Sequence, residues 1–550
     1  MAEFDFYGNI IDSEVVDIAS LKVKYPTYND DQLLETAISL AQSSGYGTKI
    51  LWDRDDIHFT GTVNHECYGF SGIDFNGANI YMPSYTGSSI ITIRPDYSYD
   101  KYFNSDDFTQ YNTSNSELFG KIFTMNSIYE GIASMSLGKR YGLDSQRAIY
   151  SCPIIKTSTD GVYETGELYL SPQNGDVLCR NIHEYPSTRF FIKNATIKAN
   201  TDNNFTGFVE CYRSNTIITD FVLKGRNQYD GEYNKGVFHL HNCCDVEFCH
   251  ISGTNPITRG YNAMYAFTFM SMAFSKVHHV FLGDSLSWGC MGGRFMTNCT
   301  FENCFLDRWD SHFAQFDHNI IDNCVIGRIA FGLGNGSLTV KNSTLILKDT
   351  NLPINDVYRL FDFASHSPGG YNGTIVIDNC EFKSLLTNGE KYAVLMDASS
   401  VYKVPSDSAI IPSDNVKRII RNCRFDEACK YIVVTGTDYE DDKTFFNGYQ
   451  YIISDSVISS GSIIKSLTAQ NIKSVRVKSC DISGQLLLKN ITCAVQVSDC
   501  KLDAITCDTT LPNVIMTGCI LTGTQGTSNF TKYAFSGNIA SDMASVNKHS

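Results

Sequence analysis

Ile321-Asp322-Asn323-Cys324-Val325-Ile326 sets apolar and polar residues in alternation around an Asn-Cys pair, and the pattern recurs along the chain. It returns at Phe301–Phe305 (FENCF), Ile377–Phe382 (IDNCEF), Ile420–Phe425 (IRNCRF), Val477–Ile482 (VKSCDI), Val497–Leu502 (VSDCKL) and Ile515–Leu521 (IMTGCIL). Val340–Ile346 (VKNSTLI) and Ile453–Ile458 (ISDSVI) carry serine in place of cysteine. The key positions are 304, 324, 343, 380, 423, 456, 480, 500 and 519, in steps of 20, 19, 37, 43, 33, 24, 20 and 19. The short steps are one turn of a coil, and the long ones are a turn with an inserted loop or two turns.

Such a repeat describes a solenoid. Apolar spacing of two indicates strands, where helical repeats would show three and four. Inward residues of successive strands fill one continuous core. Cysteine, serine or threonine fits inside a tight corner, and the preceding asparagines (Asn303, Asn323, Asn342, Asn379, Asn422) suit the corner because Asn tolerates left-handed backbone. Weaker copies at Ile192–Ile197, Ile217–Leu223, Val246–Ile251 and Val277–Leu282 extend the repeat over about 190–540. The leucine-rich consensus of the main rival solenoid is absent. The expected fold class is therefore all-β, a solenoid of strand-rich coils.

The 550 residues include 44 Lys plus Arg against 59 Asp plus Glu, a net charge of −15. That balance argues against a general nucleic-acid binder, which needs a basic face. No apolar run reaches the length of a membrane span. The beginning, MAEFDFYGNIIDSEVVD, places acids where a secretory leader needs a basic and then an apolar region. The 19 cysteines read as reduced, buried thiols in corners, since an odd number cannot all pair within one chain.

Before the repeats, Asn29-Asp30-Asp31 followed by QLLETAISLAQ predicts one acid-capped helix, with Leu33, Leu34, Ala37, Ile38 and Ala41 on one face. Strands are expected at KILWD, IHFTGTV, GIDF and NIYM, and a polar, aromatic loop over 96–115. The layout gives an N-terminal attachment segment at 1–28, a cap with the first turns and a loop insertion at 29–190, the main β-helix at 191–540 and a tail at 541–550. With its entry Asp30-Asp31-x-x-Leu34-x-x-Ala37-Ile38-x-x-Ala41, the strand Lys49–Asp53 after a glycine turn and the turns of NCxF type, the chain resembles bacteriophage tailspikes of the pectate-lyase-like parallel β-helix superfamily over about 29–540. That resemblance implies a right-handed single-stranded parallel β-helix and a homotrimer on a virion tail, made in the host cytoplasm, joined to other tail proteins through its N-terminal segment, which binds and often cleaves bacterial surface polysaccharide.

Candidate chemistry concentrates between 239 and 318, where seven of the twelve histidines lie. Aligning FLGDSLSWG (281–289), FLDRWDSH (305–312) and VIGRIAFG (325–332) puts Asp284, Arg308 and Arg328 at equivalent places on successive turns. Asp307 flanks the row; Asp310 and His312 follow it, with Trp309 and Trp288 nearby and Asp317 and His318 just beyond. Glycoside hydrolysis uses two carboxyl groups, one giving a proton to the leaving oxygen and one activating water or attacking the sugar. The expected catalytic set is Asp310, Asp284, Asp307 and His312, with Asp310 and Asp284 the preferred pair. Arg308, Arg328, Trp309, Trp288, Asp317 and His318 are the expected substrate-binding set. A lyase would use His312 as base and the arginines to hold an acidic sugar. The same stack also reads as a cross-strand ion-pair ladder, or as a face that binds glycan without turnover. No metal or cofactor is expected, calcium entering only with lyase chemistry. His239, His241 and Cys243 share a strand face by alternation and read more simply as parts of one turn.

Overall fold

The computed structural model describes residues 14–83, 89–95, 188–198, 207–224, 236–253, 266–282, 291–316, 318–331, 336–347, 358–362, 371, 373–385, 392–399, 416–437, 449–459, 461–466, 472–507, 513–523 and 532–540, and the strands at 3–4, 10–11, 129–136, 149–157, 163–165 and 180–184. The chain forms two compact units, 1–136 with 149–307, and 137–148 with 308–550. Each is a parallel β-helix.

In the first unit the coil starts ahead of residue 29. Glu14–Asp17 pairs in parallel with Thr48–Leu51, which pairs with Gly72–Tyr81, then Phe190–Lys198, Thr216–Lys224, Val246–Gly253 and Lys276–Leu282. Two helices close this end where one was expected: α1 (Ile18–Lys24) and α2 (Asp30–Ser44). Asn29 and Gln32 form a reciprocal capping box at the start of α2, and Gly45 ends the helix at φ 89°. Leu33, Leu34, Ala37, Ile38 and Ala41 are buried, as their spacing requires. The two acids after the cap are also buried. Asp30 Oδ1 meets Arg54 Nη1 at 2.7 Å and its Oδ2 accepts the His58 amide at 2.7 Å; Asp31 accepts the Thr60 amide at 2.9 Å and lies 3.1 Å from His65 Nε2. These carboxylates pin the helix to the first turns.

A second sheet of this unit runs His65–Cys67, Ile91–Ile93, Val209–Cys211, Phe238–Cys244, Phe267–Ala273 and Met291–Thr297, all parallel. Within the expected insertion, Tyr129–Ser136, Ile149–Thr157, Tyr163–Thr165 and Arg180–Glu184 form an antiparallel sheet, and Ile149–Thr157 packs on the second sheet at Phe238–Cys244 and Phe267–Ala273. Residues 96–115 lie outside the described residues.

In the second unit one turn holds two short strands of the first sheet around the Asn-Cys corner, then a strand of the second. Asn319–Asp322, Val325–Ile326 and Ile329–Phe331 make one such turn. Asn323, Asn342, Asn379, Asn422, Asp455, Ser479, Asp499, Gly518 and Gly537 all have φ between 50° and 66°. A left-handed residue thus bends the chain at each of these corners, and Asn, Asp and Gly take that conformation most readily. Asn side chains link the turns: Asn342 Nδ2 donates to Asp322 Oδ1 at 2.8 Å, Asn379 Nδ2 to Asn342 Oδ1 at 2.9 Å and Asn422 Nδ2 to Asp378 Oδ1 at 2.8 Å.

The residue after each corner turns into the core. Cys324, Cys380, Cys423, Cys480, Cys500 and Cys519 are each at most 2% exposed. Each thiol donates to the carbonyl two residues back, at 3.1–3.5 Å. Where serine replaces cysteine, Ser343 Oγ accepts the Cys324 amide and Ser456 Oγ the Cys423 amide, both at 3.1 Å. The corner amide is thereby satisfied by the side chain one turn on. The described cysteines are free thiols, nearly all buried.

Candidate functional site

The structure places the expected residues unevenly. Asp284 and Trp288 fall within 283–290, and Asp317 stands alone; all three lie outside the described residues, as does the side chain of His312, whose backbone is in the strand Trp309–Phe316. The alignment of Arg308 with Arg328 holds, since Trp309 pairs with Ile329 and its amide donates to the Arg328 carbonyl at 2.8 Å. Trp309 is no sugar platform. It stacks on Ile329, which pairs with Phe361, and all three are core residues at 0% exposure. Alternation sends Arg308 and Asp310 to the opposite, outward side, where Arg308 Nη2 pairs with Asp310 Oδ2 and Asp310 lies across from Ala330. That outward side is itself buried: Arg308 is 4% exposed, Asp310 1%, Arg328 2% and Asp307 6%. The expected open surface at this row is thus an enclosed ion pair. His318 is exposed and apart from it, at a corner with φ 44°, its Nδ1 3.0 Å from Ser337 Oγ.

A half-buried polar face, open at its Glu66 and Arg94 end, lies instead on the second sheet of the first unit. Register puts Glu66, Thr92, Glu210, His239 and Thr268 in one outward row. Arg94, Tyr212 and His241 follow two residues on along the same face. Arg94 Nε lies 3.1 Å from Glu66 Oε1 and its guanidinium 5.5 Å from the Tyr212 ring centre. Tyr212 Oη donates to Glu210 Oε1 at 2.9 Å, and His241 Nε2 is 3.4 Å from the same oxygen. Tyr212 and His241 stack at 4.9 Å and 15°, and His239 stacks beyond His241 at 5.9 Å. Thr268 Oγ1 bonds His239 Nδ1. Burial, then the Glu210 carboxylate, hold the Tyr212 phenol well above its ordinary pKa, so it remains a donor. The Glu210 side chain is 13% exposed, His241 24%, Arg94 36% and Glu66 50%. An enclosed and an open carboxylate, a stack of aromatic rings and a cation therefore meet on one face. Cys243 turns away from it, its thiol donating to the carbonyls of Cys211 and His241.

The sequence reading singled out His239 and His241 but missed Glu66, Arg94, Glu210 and Tyr212. These come from turns separated by the long insertion, so no local spacing joins them. The usable signal is the strand alternation in Val209-Glu210-Cys211-Tyr212, which sets Glu210 and Tyr212 on the side opposite two core residues.

A further group sits on the first sheet at its corner. Cys249 pairs with His278, which pairs with Glu302, and the next column holds Asp220, His250, His279 and Asn303 with φ between 54° and 60°. His278 Nε2 lies 3.0 Å from Glu247 Oε1, whose other oxygen meets Arg189 Nη2 at 2.6 Å. Burial works against the Glu247 carboxylate, but His278 and Arg189 hold it below its usual range.

No protein-family model matches the sequence, and no curated protein does. Among solved structures the chain is similar to the tailspike of Pseudomonas phage phi297, at 11% identity over 84% of this chain and 80% of that one with a TM-score of 0.49. It is similar to the tailspike of E. coli bacteriophage HK620 in complex with a pentasaccharide, at 9% identity over 97% and 77% with a TM-score of 0.40. It is also similar to the tailspike of Acinetobacter baumannii bacteriophage AP22 in complex with capsular saccharide, at 10% identity over 97% and 79% with a TM-score of 0.36.

Proposed function

We propose that this protein is a phage tailspike that binds and depolymerises bacterial surface polysaccharide, capsule or lipopolysaccharide glycan, on the face centred on Glu210. The observation that carries the reading is the enclosed Glu210 carboxylate beside the stacked Tyr212–His241 pair, with Glu66 two strands away in the same row. Two strand spacings separate the Glu66 and Glu210 backbones by about 9–10 Å. Carboxyl groups about 6.5–9.5 Å apart leave room for a water and invert the sugar centre. Glu210, in its protonated form, gives its proton to the leaving oxygen and is left as the carboxylate that Tyr212 bonds; Glu66, open to solvent beside Arg94, takes one from the attacking water. The Tyr212 and His241 rings, stacked between Arg94 and His239, present their edges to a sugar.

The reading extends to a homotrimer attached to other tail proteins through the N-terminal segment, where Val15 and Val23 expose apolar side chains.

Incubation with host polysaccharide should release new reducing ends, and Glu210→Gln should lower that rate about 10²–10⁴-fold, the usual share of general acid–base catalysis. Ultraviolet-absorbing unsaturated products would replace hydrolysis with lyase chemistry. Intact polymer with measurable binding would leave an adhesin of the same fold.

A further inference from the structure

We propose that the corner group on the first sheet is a binding site for a divalent transition ion of the zinc class, held by His250, His278, His279 and Cys249. The site is separate from the Glu210 face and does not depend on the function proposed there.

The geometry supplies the ligands from two neighbouring turns. Ligand atoms of Cys249, His250 and His278 lie within 4.8 Å of one another. His278 Nδ1 and His279 Nδ1 are 2.9 Å apart. With Zn–N bonds of about 2.0–2.1 Å, two nitrogens on one tetrahedral ion stand about 3.3 Å apart, so this pair is already close to the required span. The His250 ring is 5.6 Å from the His278 ring and 5.2 Å from the His279 ring. Adjacent residues on a regular strand point to opposite faces, and His278 and His279 would diverge. The left-handed backbone at His279, φ 54°, breaks that alternation and turns both imidazoles to one side. The same conformation at His250 brings the third ring over from the preceding turn.

The surroundings also resemble the support of a metal ligand. A ligating histidine commonly gives its second nitrogen to a carboxylate, which fixes the tautomer and aims the lone pair at the ion. His278 has this arrangement: Nε2 faces Glu247, Glu247 is anchored by Arg189, and Nδ1 is left pointing at His279. Cys249, whose thiol now donates to Thr219 Oγ1 at 3.3 Å, completes a set of three nitrogens and one sulfur once the ion displaces its proton. Imidazole and thiolate together suit zinc, cobalt and nickel over calcium or magnesium.

The test is a cobalt(II) titration of the full, tag-free chain, followed by visible and near-ultraviolet absorption and by calorimetry. The expected result is one equivalent bound, with tetrahedral ligand-field bands and a thiolate charge-transfer band. His279→Ala should weaken binding more than about 100-fold, and Glu247→Gln about 10–100-fold, the range for a residue that orients a ligand. Cys249→Ser should remove the charge-transfer band. His279 is exposed but its backbone is left-handed, so circular dichroism checks that the variant keeps the fold. Absence of saturable binding, affinity unchanged in His279→Ala, or a spectrum of the intact chain without the thiolate band would overturn the assignment.

Discussion

Single residues show where strand logic succeeds and where it stops. Alternation correctly sets Trp309 and Asp310 on opposite sides of their strand, but it cannot say that both sides are covered. With Arg308 and Asp310 each under 6% exposed, the pair reads as a buried ion pair, and removing one partner of such a pair costs about 3–5 kcal/mol. Asp310→Asn is therefore expected to lower the thermal midpoint strongly in calorimetry, whereas Glu210→Gln leaves the midpoint within a few degrees. A stable Asp310→Asn protein without activity would return catalysis to the Asp310 row. Asp31 carries a pH prediction. Burial raises its pKa, but His65 and the Thr60 amide outweigh this and hold it below the ordinary carboxylate range. A depressed folded pKa contributes stability that is complete above the unfolded value of about 3.9 and is lost as pH falls through the folded value. The cap around α2 should thus open in acid below about pH 4, and Asp31→Asn should flatten that part of the stability profile measured by denaturant unfolding.

At the scale of the element, the corner is the most legible feature of the chain. Asn followed by Cys, between apolar residues two apart, specified a left-handed bend with a small inward residue, and Asn323, Asn342, Asn379 and Asn422 take that bend. A second left-handed column, Asn215, Asp245, Phe274 and Asn298, went unread in the first unit. Three of its four residues are Asn or Asp, but only Asn298 is followed by cysteine, so the pair does not recur there; Phe274 takes φ 47° in the same column. Replacement separates conformation from bonding at the first column. Asn379→Ala removes the polar side chain that lets Asn tolerate left-handed backbone, exposing a cost of up to about 1–2 kcal/mol, and also deletes the bond to Asn342. Asn379→Gly deletes only the bond. Chemical denaturation should rank wild type above the glycine variant and the glycine variant above alanine; the reverse order for the two variants would mean that the side-chain ladder, not the backbone, sets the corner.

For the whole molecule, fold and site were legible to different degrees for a physical reason. The solenoid is written locally, each turn repeating within about 20–40 residues, so composition and spacing suffice. The polar face is written across turns: Glu66, Arg94 and Glu210 become neighbours only when strands separated by an insertion pair in register. The proposed homotrimer is the prediction at this scale. Sedimentation equilibrium should give three times the 61.4 kDa chain mass, and a monomeric mass at micromolar concentration would remove that part of the reading.

The corners have one more consequence. Because Cys480 and Cys500 occupy the same point of successive turns, the chain between them, 481–500, enters and leaves the coil at equivalent places. Loss or duplication of such a segment shifts no register and exposes no new edge. For a gene encoding this protein, length is therefore a coarse variable that changes by whole coils, and the second unit can be lengthened or shortened at that point without redesigning its other turns.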